Sequence, residues 1–358
     1  MAAVKSRVPR ALRPCCSPGR VARVAVGISL GAFAAIGRAQ DLRESATPLA
    51  YFLHSAGPAA APVRVLDWAL AALCAGVCVV IAGLLGFAMR RKRNVADPAA
   101  TTRDVTANRI VLVGTIVSSL LLLGALVAML RVLAAVAEPP REPALTIQVT
   151  AYDWWWKVTY IGPSGLPFNT ANEIHIPTGE PVRILLQSAD VIHAFWVPAL
   201  AGKTQAIPGQ VNRQWLQADR PGIWRGQCTQ FCGPQHAHMA MEVIAQSPDD
   251  FAHWLDAQAH LVTAPDNEAA QRGEHVFAVH CAACHAVRGS LSSGAQAPDL
   301  THLASRRWLG AGTLVNTHAN RLDWVAHAQQ IKPESLMPNI VLTPDETHDL
   351  GAWMDTLQ

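Results

Sequence analysis

Residues 227–239 read QCTQFCGPQHAHM, placing Cys228, Cys232, His236 and Met239 in one short, turn-rich stretch. Two thiols, an imidazole and a thioether form a soft donor set that suits copper, whereas structural zinc takes four Cys or His ligands and rarely a thioether. Cys-x-x-x-Cys taken alone is equally a disulfide, and that alternative weakens only when the following His and Met are counted. A further imidazole must come from elsewhere, and His193, ending the apolar run of QSADVIHAFWVPAL, is the candidate. A second cluster, Cys281-Ala-Ala-Cys284-His285, has the spacing for covalent haem: the thiols add to the vinyl groups and the adjacent His ligates iron. A redox dithiol competes with this reading, and His285 directly after Cys284 argues against it. The other axial ligand should be a soft residue on a later loop. Met337 fits, with Pro338 holding its segment out of a helix. Met354 lies in a helical pattern where packing is the expected role, and His302, His318 and His327 rank lower.

These clusters need very different supports. The chain has 358 residues, 51% hydrophobic and 15% charged, which suggests several domains with part of the chain outside water. Apolar runs at about 65–89 and 110–130 are long enough to span a bilayer and predict a transmembrane hairpin. Arg90, Arg91, Lys92, Arg93, Arg103 and Arg109 flank or fill the loop between them, which puts that loop in the cytoplasm and everything after position 130 on the far side. Neither this cluster nor the basic N-terminus has the interleaved aromatic residues of a nucleic-acid surface, so no nucleic-acid partner is expected. The shorter run VAVGISLGAFAAIG resembles a secretory signal, with cleavage after Ala39. Cys74 and Cys78, one turn apart in the first span, read as packing residues.

Beyond AEPPREP, short alternating runs such as LTIQVT, PVRILLQS and MEVIAQ, separated by turn residues, predict an antiparallel β-sandwich or barrel over about 144–246. SPDDFAHWLDAQAH reads as a helix capped by Ser247, VTAPDNEAAQ as a linker, and helical periodicity returns from about Asn267 to Gln358. A domain of that size is short of core on its own, and a haem would supply it.

AYDWWWKVTY, DVIHAFWVPALAGKTQAIPG and GQCTQFCGPQHAHM, in that order after a helical hairpin, resemble subunit II of the haem-copper cytochrome c oxidases. The resemblance covers about 65–246. The C-terminal part resembles class I cytochromes c, its APDLTHLASRR and LMPN segments being similar to the cytochrome extension fused to subunit II in some bacterial oxidases. The residues predict a signal peptide over 1–39 and a two-helix membrane hairpin within 40–137, and the resemblance implies a periplasmic all-β cupredoxin-like Greek-key sandwich over 138–258 and an all-α cytochrome c domain over 259–358. It also implies the dinuclear copper centre CuA, with Cys228 and Cys232 as bridging thiolates, His193 and His236 as imidazoles, Met239 as thioether and the carbonyl of Gln230 as the remaining ligand. Trp154 matches the family tryptophan through which electrons reach CuA, while Trp155 and Trp156 read as packing residues and His238 as an ordinary histidine. Haem c is expected on Cys281, Cys284, His285 and Met337.

The family usually has Glu at position 230, and that carboxylate reaches magnesium at the contact with subunit I. An amide binds a hard cation more weakly, so the magnesium site stays open while the carbonyl ligand does not depend on the side chain. The implied role is that of the subunit through which electrons enter a terminal oxidase in the bacterial inner membrane. The implied partners are subunit I with its haem and CuB, subunit III, and a cytochrome c or quinol-cytochrome c reductase as donor. A CuA-containing nitric oxide reductase subunit and a membrane-anchored carrier without an oxidase partner are the alternatives.

Overall fold

A computed structural model describes residues 53–90, 105–162 and 165–358 of the chain. The expected signal segment, the Cys15 and Cys16 pair and the basic residues between 91 and 104 lie outside them.

Two long helices come first, α1 (Ala61–Arg90) and α2 (Val105–Ala137). At 30 and 33 residues they extend past the expected runs, and about 45 Å of helix exceeds the roughly 30 Å of bilayer hydrocarbon. Each is long and apolar enough to cross a membrane, and its hydrophobic window has no buried share. Leu84 and Leu122 are among many side chains left for lipid to cover. Both ends of the hairpin are fastened to the next domain. Ala56 donates its N–H to Ala199 and accepts from the N–H of Asp219, Gly57 lies so close to the Gln217 carbonyl that a Cβ would be 1.9 Å from it, and Trp215 Nε1 donates to the Val136 carbonyl at 2.9 Å.

The β domain consists of two five-stranded sheets. One has the order β3 (Pro167–Ala171), β2 (Trp155–Ile161), β1 (Leu145–Tyr152), β5 (Val182–Ser188), β8 (Asn212–Leu216). The other runs β4 (Glu173–Pro177), β10 (Ala240–Gln246), β9 (Gly222–Cys228), β6 (His193–Trp196), β7 (Thr204–Ala206). Alternation along the strands sends Ile147, Val149 and Ala151 inward from β1, Trp156, Val158 and Tyr160 from β2, and Val182, Ile184 and Leu186 from β5. Trp156 is wholly buried and packs edge-on against Phe195, as a core residue rather than a site residue. The sandwich is mixed, not purely antiparallel: β1 runs parallel to β5, and β10 to β4. Alternation reports which face is buried and carries no strand direction, so the sequence pattern could not separate the two cases. Helix α3 (Pro248–Ala259) is capped by Ser247 as expected, and its Trp254 stacks on His175 at 3.9 Å.

Helices α4 (Glu268–His280), α5 (His318–Ile331) and α6 (Pro344–Thr356) form the last domain. Asn267, Thr317 and Thr343 cap them, the last in a reciprocal capping box with Glu346. Phe277 of α4 packs on Trp353 of α6 with ring centroids 4.5 Å apart. A two-stranded ribbon, β11 (Trp308–Leu309) with β12 (Leu314–Val315), and isolated bridges pairing Ala286 with Ser293 and Arg288 with Ser290 depart from an all-helical fold. The expected linker is partly engaged: Val262 N donates to the Arg288 carbonyl, and Arg288 donates to the carbonyl of Gln258.

Candidate metal centre and its neighbouring cavity

The soft ligands converge at one end of the second sheet. Cys228 ends β9, and His193 begins β6, the strand paired to it with Phe195 opposite Cys228. The loop from β9 to β10 is pinned at its base by Cys228 N donating to Met239 O and Thr229 N donating to Ala194 O, both at 3.0 Å. Its 3-10 turn, His236–His238, turns the chain back into β10. The two sulfurs are 3.8 Å apart, too far for a disulfide and free as thiols. His193 Nδ1 lies 3.9 Å from Cys228 Sγ, His236 Nδ1 3.5 Å and Met239 Sδ 3.9 Å from Cys232 Sγ, and the Gln230 carbonyl 3.3 Å from Cys228 Sγ. Cys228, Cys232, Met239 and His193 are buried.

Electrostatics favour one anionic sulfur here. Hydrogen bonding from Cys232 lowers the Cys228 thiol to about 4 against the cost of burial, with His193 adding to the effect. Cys232 moves the opposite way, because its proton is shared with Cys228 and it too is buried. Burial opposes charge on His193, yet its bonds to Asp190 and Cys228 raise it to about 9. The Asp190 carboxylate accepts from His193 Nε2 at 2.8 Å, fixing the ring so that Nδ1 faces the sulfurs. Although burial works against it, these bonds and the N–H groups of Val191 and Asp153 hold Asp190 below the usual carboxylate range. A buried, closely spaced His/Cys cluster of this kind is compatible with a CuA-like metal site.

Trp154 joins this centre to a second feature. Its indole Nε1 donates to the Cys232 carbonyl at 2.8 Å, and Gly233, at φ +115, leaves room for the ring, since a Cβ there would be 3.0 Å from Trp154 Cζ2. Trp154 is only 7% exposed. It lines a cavity of about 270 Å³ together with Trp155, and the far walls carry Cys281, Cys284, His285 and Met337. All four residues expected to hold haem therefore face one space. Met354 also borders it but is buried between helices, and His302, whose Nδ1 bonds to the Gln358 carbonyl, does not line it.

The donors suit haem. His285 Nδ1 lies 2.8 Å from the Pro298 carbonyl, which leaves Nε2 free for a metal, and burial holds the ring below the usual histidine range, in the neutral form a metal would need. Arg306 and Arg321 border the cavity with buried Nε atoms that have no hydrogen-bond partner, as a group with carboxylate arms would require.

Several contacting residues escaped sequence reasoning. Lys332, 3% exposed, donates from Nζ to the carbonyls of Trp154, His238 and Gly310, each at 2.8 Å. Burial lowers its amine to about 7, and three carbonyl partners favour the ammonium, the form with three protons to give. Arg307 and Trp308 bind the buried Glu242 at 2.8 and 3.0 Å, and the Arg307 N–H donates to Glu173 at 2.6 Å. The only sequence signal was a carboxylate inside otherwise apolar strands, as in MEVIAQ.

Comparison with known proteins finds matches to both of the last two domains. Residues 167–246 match the family model for the cytochrome c oxidase subunit II periplasmic domain, and residues 270–358 match that for cytochrome c. The chain is similar to cytochrome c oxidase subunit 2 of Alkalihalophilus pseudofirmus, 37% identical over 193 residues, which are 54% of this chain and 55% of the relative. It is also similar to the probable cytochrome c oxidase subunit 2 of Rickettsia bellii, 30% identical over 219 residues, covering 56% of this chain and 77% of that one. Among solved structures, the periplasmic domain of subunit II of cytochrome oxidase from Bradyrhizobium japonicum matches at 31% identity with a TM-score of 0.31, over 33% of this chain and 95% of that chain. The chain spans about half the length of the first of these relatives. Two apolar helices thus precede a periplasmic cupredoxin-like domain and a cytochrome c domain. With most of the Rickettsia relative covered and the cysteine-rich loop folded into a compact soft-ligand cluster, this chain belongs to the cytochrome c oxidase subunit II family.

Proposed function

We propose that this chain is the subunit through which electrons enter a terminal cytochrome c oxidase. In this reading His193, Cys228, Cys232, His236, Met239 and the carbonyl of Gln230 hold dinuclear copper, while Cys281, Cys284, His285 and Met337 hold covalent haem c. Both groups supply one-electron exchange without bond making, and the chain's residues determine where that exchange occurs. The carrying observation is that the cavity bearing the haem-type ligands opens on Trp154, whose indole bonds the carbonyl of Cys232. Electrons from an outside cytochrome c or reductase would arrive at the haem domain, pass through the Trp154 region to copper, and leave for the haem and CuB of subunit I, where oxygen becomes water.

The domain limits that fit this role are a hairpin within 40–137, a copper domain over 138–258 and a haem domain over 259–358. Gln230 and Phe231, exposed at the tip of the copper loop with Phe231 at 76%, offer the surface for subunit I, with subunit III as a further partner. The side chain of Gln230 gives a neutral oxygen where magnesium would prefer a carboxylate. Purification of the full chain with its membrane partners tests the reading. It should carry copper and covalent haem, co-purify with an oxidase subunit I and consume oxygen with reduced cytochrome c. Co-purification with a nitric oxide reductase large subunit, or with no membrane partner, would replace it.

A further inference from the structure

The surface that the copper domain turns toward the haem domain is unusual in its charge. Glu242 on β10 and Glu173 on β4 sit directly opposite each other in register, at 3% and 7% exposure. Like charges facing across neighbouring strands repel, and burial makes each carboxylate costlier still. Besides His175 of the same strand, 3.9 Å from Glu173, their hydrogen-bond partners come from the haem domain: the Arg307 guanidinium and the Trp308 indole on Glu242, and the Arg307 N–H on Glu173. Beside them the Ala240 N–H donates to the Ala311 carbonyl at 3.0 Å. Lys332 closes the contact, its ammonium shared between its own domain at Gly310 and the copper domain at Trp154 and His238.

We propose that Lys332, with Arg307 on the paired Glu173 and Glu242, is a positioning contact that holds the haem cavity against Trp154 and closes the Trp154 route to outside donors. The inference rests on the electron-transfer reading above. The step it serves moves one electron, oxidising the haem iron and reducing the copper pair, with no bond or proton change. Lys332 borders the haem cavity, but its Nζ is engaged by three backbone carbonyls. It fixes the backbone of Trp154 relative to the domain that carries Met337, five residues further along its own chain.

The test uses the full chain in its complex, loaded with copper and haem, as Lys332→Met and Arg307→Gln variants. Haem is reduced by a light pulse through a ruthenium photoreductant, and arrival of the electron at copper is followed optically. Loss of a charge-assisted hydrogen bond shifts a docking equilibrium by roughly ten- to a hundredfold. Lys332→Met should therefore slow haem-to-copper transfer at least about tenfold, and Arg307→Gln less, with both absorption spectra unchanged. Direct reduction of copper by a small outside reductant should accelerate, and the Ala240 amide should lose protection from hydrogen exchange. Unchanged transfer in spectrally intact variants would overturn the proposal, whether or not Ala240 protection falls. If Lys332→Met fails to load either group, Arg307→Gln, whose side chain is 48% exposed, decides by the same criteria. A parent chain showing no haem-to-copper transfer would instead remove the functional reading on which the proposal stands.

Discussion

Two glycines on facing helices of the haem domain should respond to alanine with different outcomes. Gly273 lies inside α4 and Gly351 inside α6, so each replacement gains about 1 kcal/mol of helix propensity. A Cβ on Gly273 would stand 2.0 Å from the carbonyl oxygen of Asp349, 2.6 Å from its carbon and 2.8 Å from Trp353 Cβ. Ordinary carbon contacts need about 3.5–4.0 Å, so α6 itself must retreat by more than an ångström, opening the Phe277–Trp353 contact. Overpacking costs about 1–3 kcal/mol, and a clash with backbone belongs at or above the top of that range. Net of the propensity gain, Gly273→Ala should lose about 2 kcal/mol, or roughly 8–16 °C in the melting of a domain of this size. At Gly351 the nearest atom is His318 Cε1 at 2.8 Å, the tip of a half-exposed ring paired to Asp355. Swinging it away forfeits an exposed ion pair worth about 0–1 kcal/mol, which the propensity gain offsets. Thermal unfolding of the haem-loaded chain, followed through the haem absorption and the near-ultraviolet signal of Trp353, reads both. A Gly273→Ala variant melting at or above the parent would refute the clash argument.

Other expectations are shorter. Cys228→Ser should abolish the copper spectrum and leave covalent haem in place, checked by electron paramagnetic resonance beside a haem stain, because the two ligand sets belong to separate cores. Met337→Ala should keep haem bound yet change the spin state and lower the potential, as loss of a soft axial ligand does; an unaltered ferric spectrum would point to Met354. Asp190→Asn keeps the shape but removes the carboxylate on His193 Nε2, and should weaken copper retention about 10–100-fold in a chelator competition. In acid, Glu346, bonded to the N–H and hydroxyl of Thr343, and Asp349, bonded to Arg272, are held below the ordinary carboxylate range. The stability they add is complete above about pH 4 and lost as pH falls through their lowered folded values. Melts from pH 5 to 2 should show Arg272→Gln with a flatter acid limb.

The parts of the site that were legible in the sequence are the local ones. Cys228 to Met239 and Cys281 to His285 are ligand sets written within a few residues, so spacing alone carries their chemistry. His193 joins the cluster only because β6 pairs with β9, and a family resemblance rather than periodicity pointed to it. Trp154 was placed at the copper centre, but its burial was not foreseen, since the covering wall is a domain that follows much later in the chain. Lys332, Arg307, Glu173 and Glu242 were invisible for a related reason: a charged residue reads as solvated until its distant partner is known. Strand direction was hidden as well, because the inward sets Ile147, Val149, Ala151 and Val182, Ile184, Leu186 would alternate identically in either orientation.

The fastening of the membrane hairpin at both ends bears on mechanics. A domain hung from a single helix end can swivel and nod about that pivot. Here the chain before α1 is stitched to the loops around Ala199 and Asp219, and the last turn of α2 is held by the Trp215 indole. Two separated attachments leave a hinge axis at most, and Gly57 wedged on the Gln217 carbonyl stiffens even that. The height of the cysteine-rich loop above the lipid surface is thereby set by the protein, as on a bracket bolted at two points, so slackening either bolt should blur that height before it disturbs any ligand.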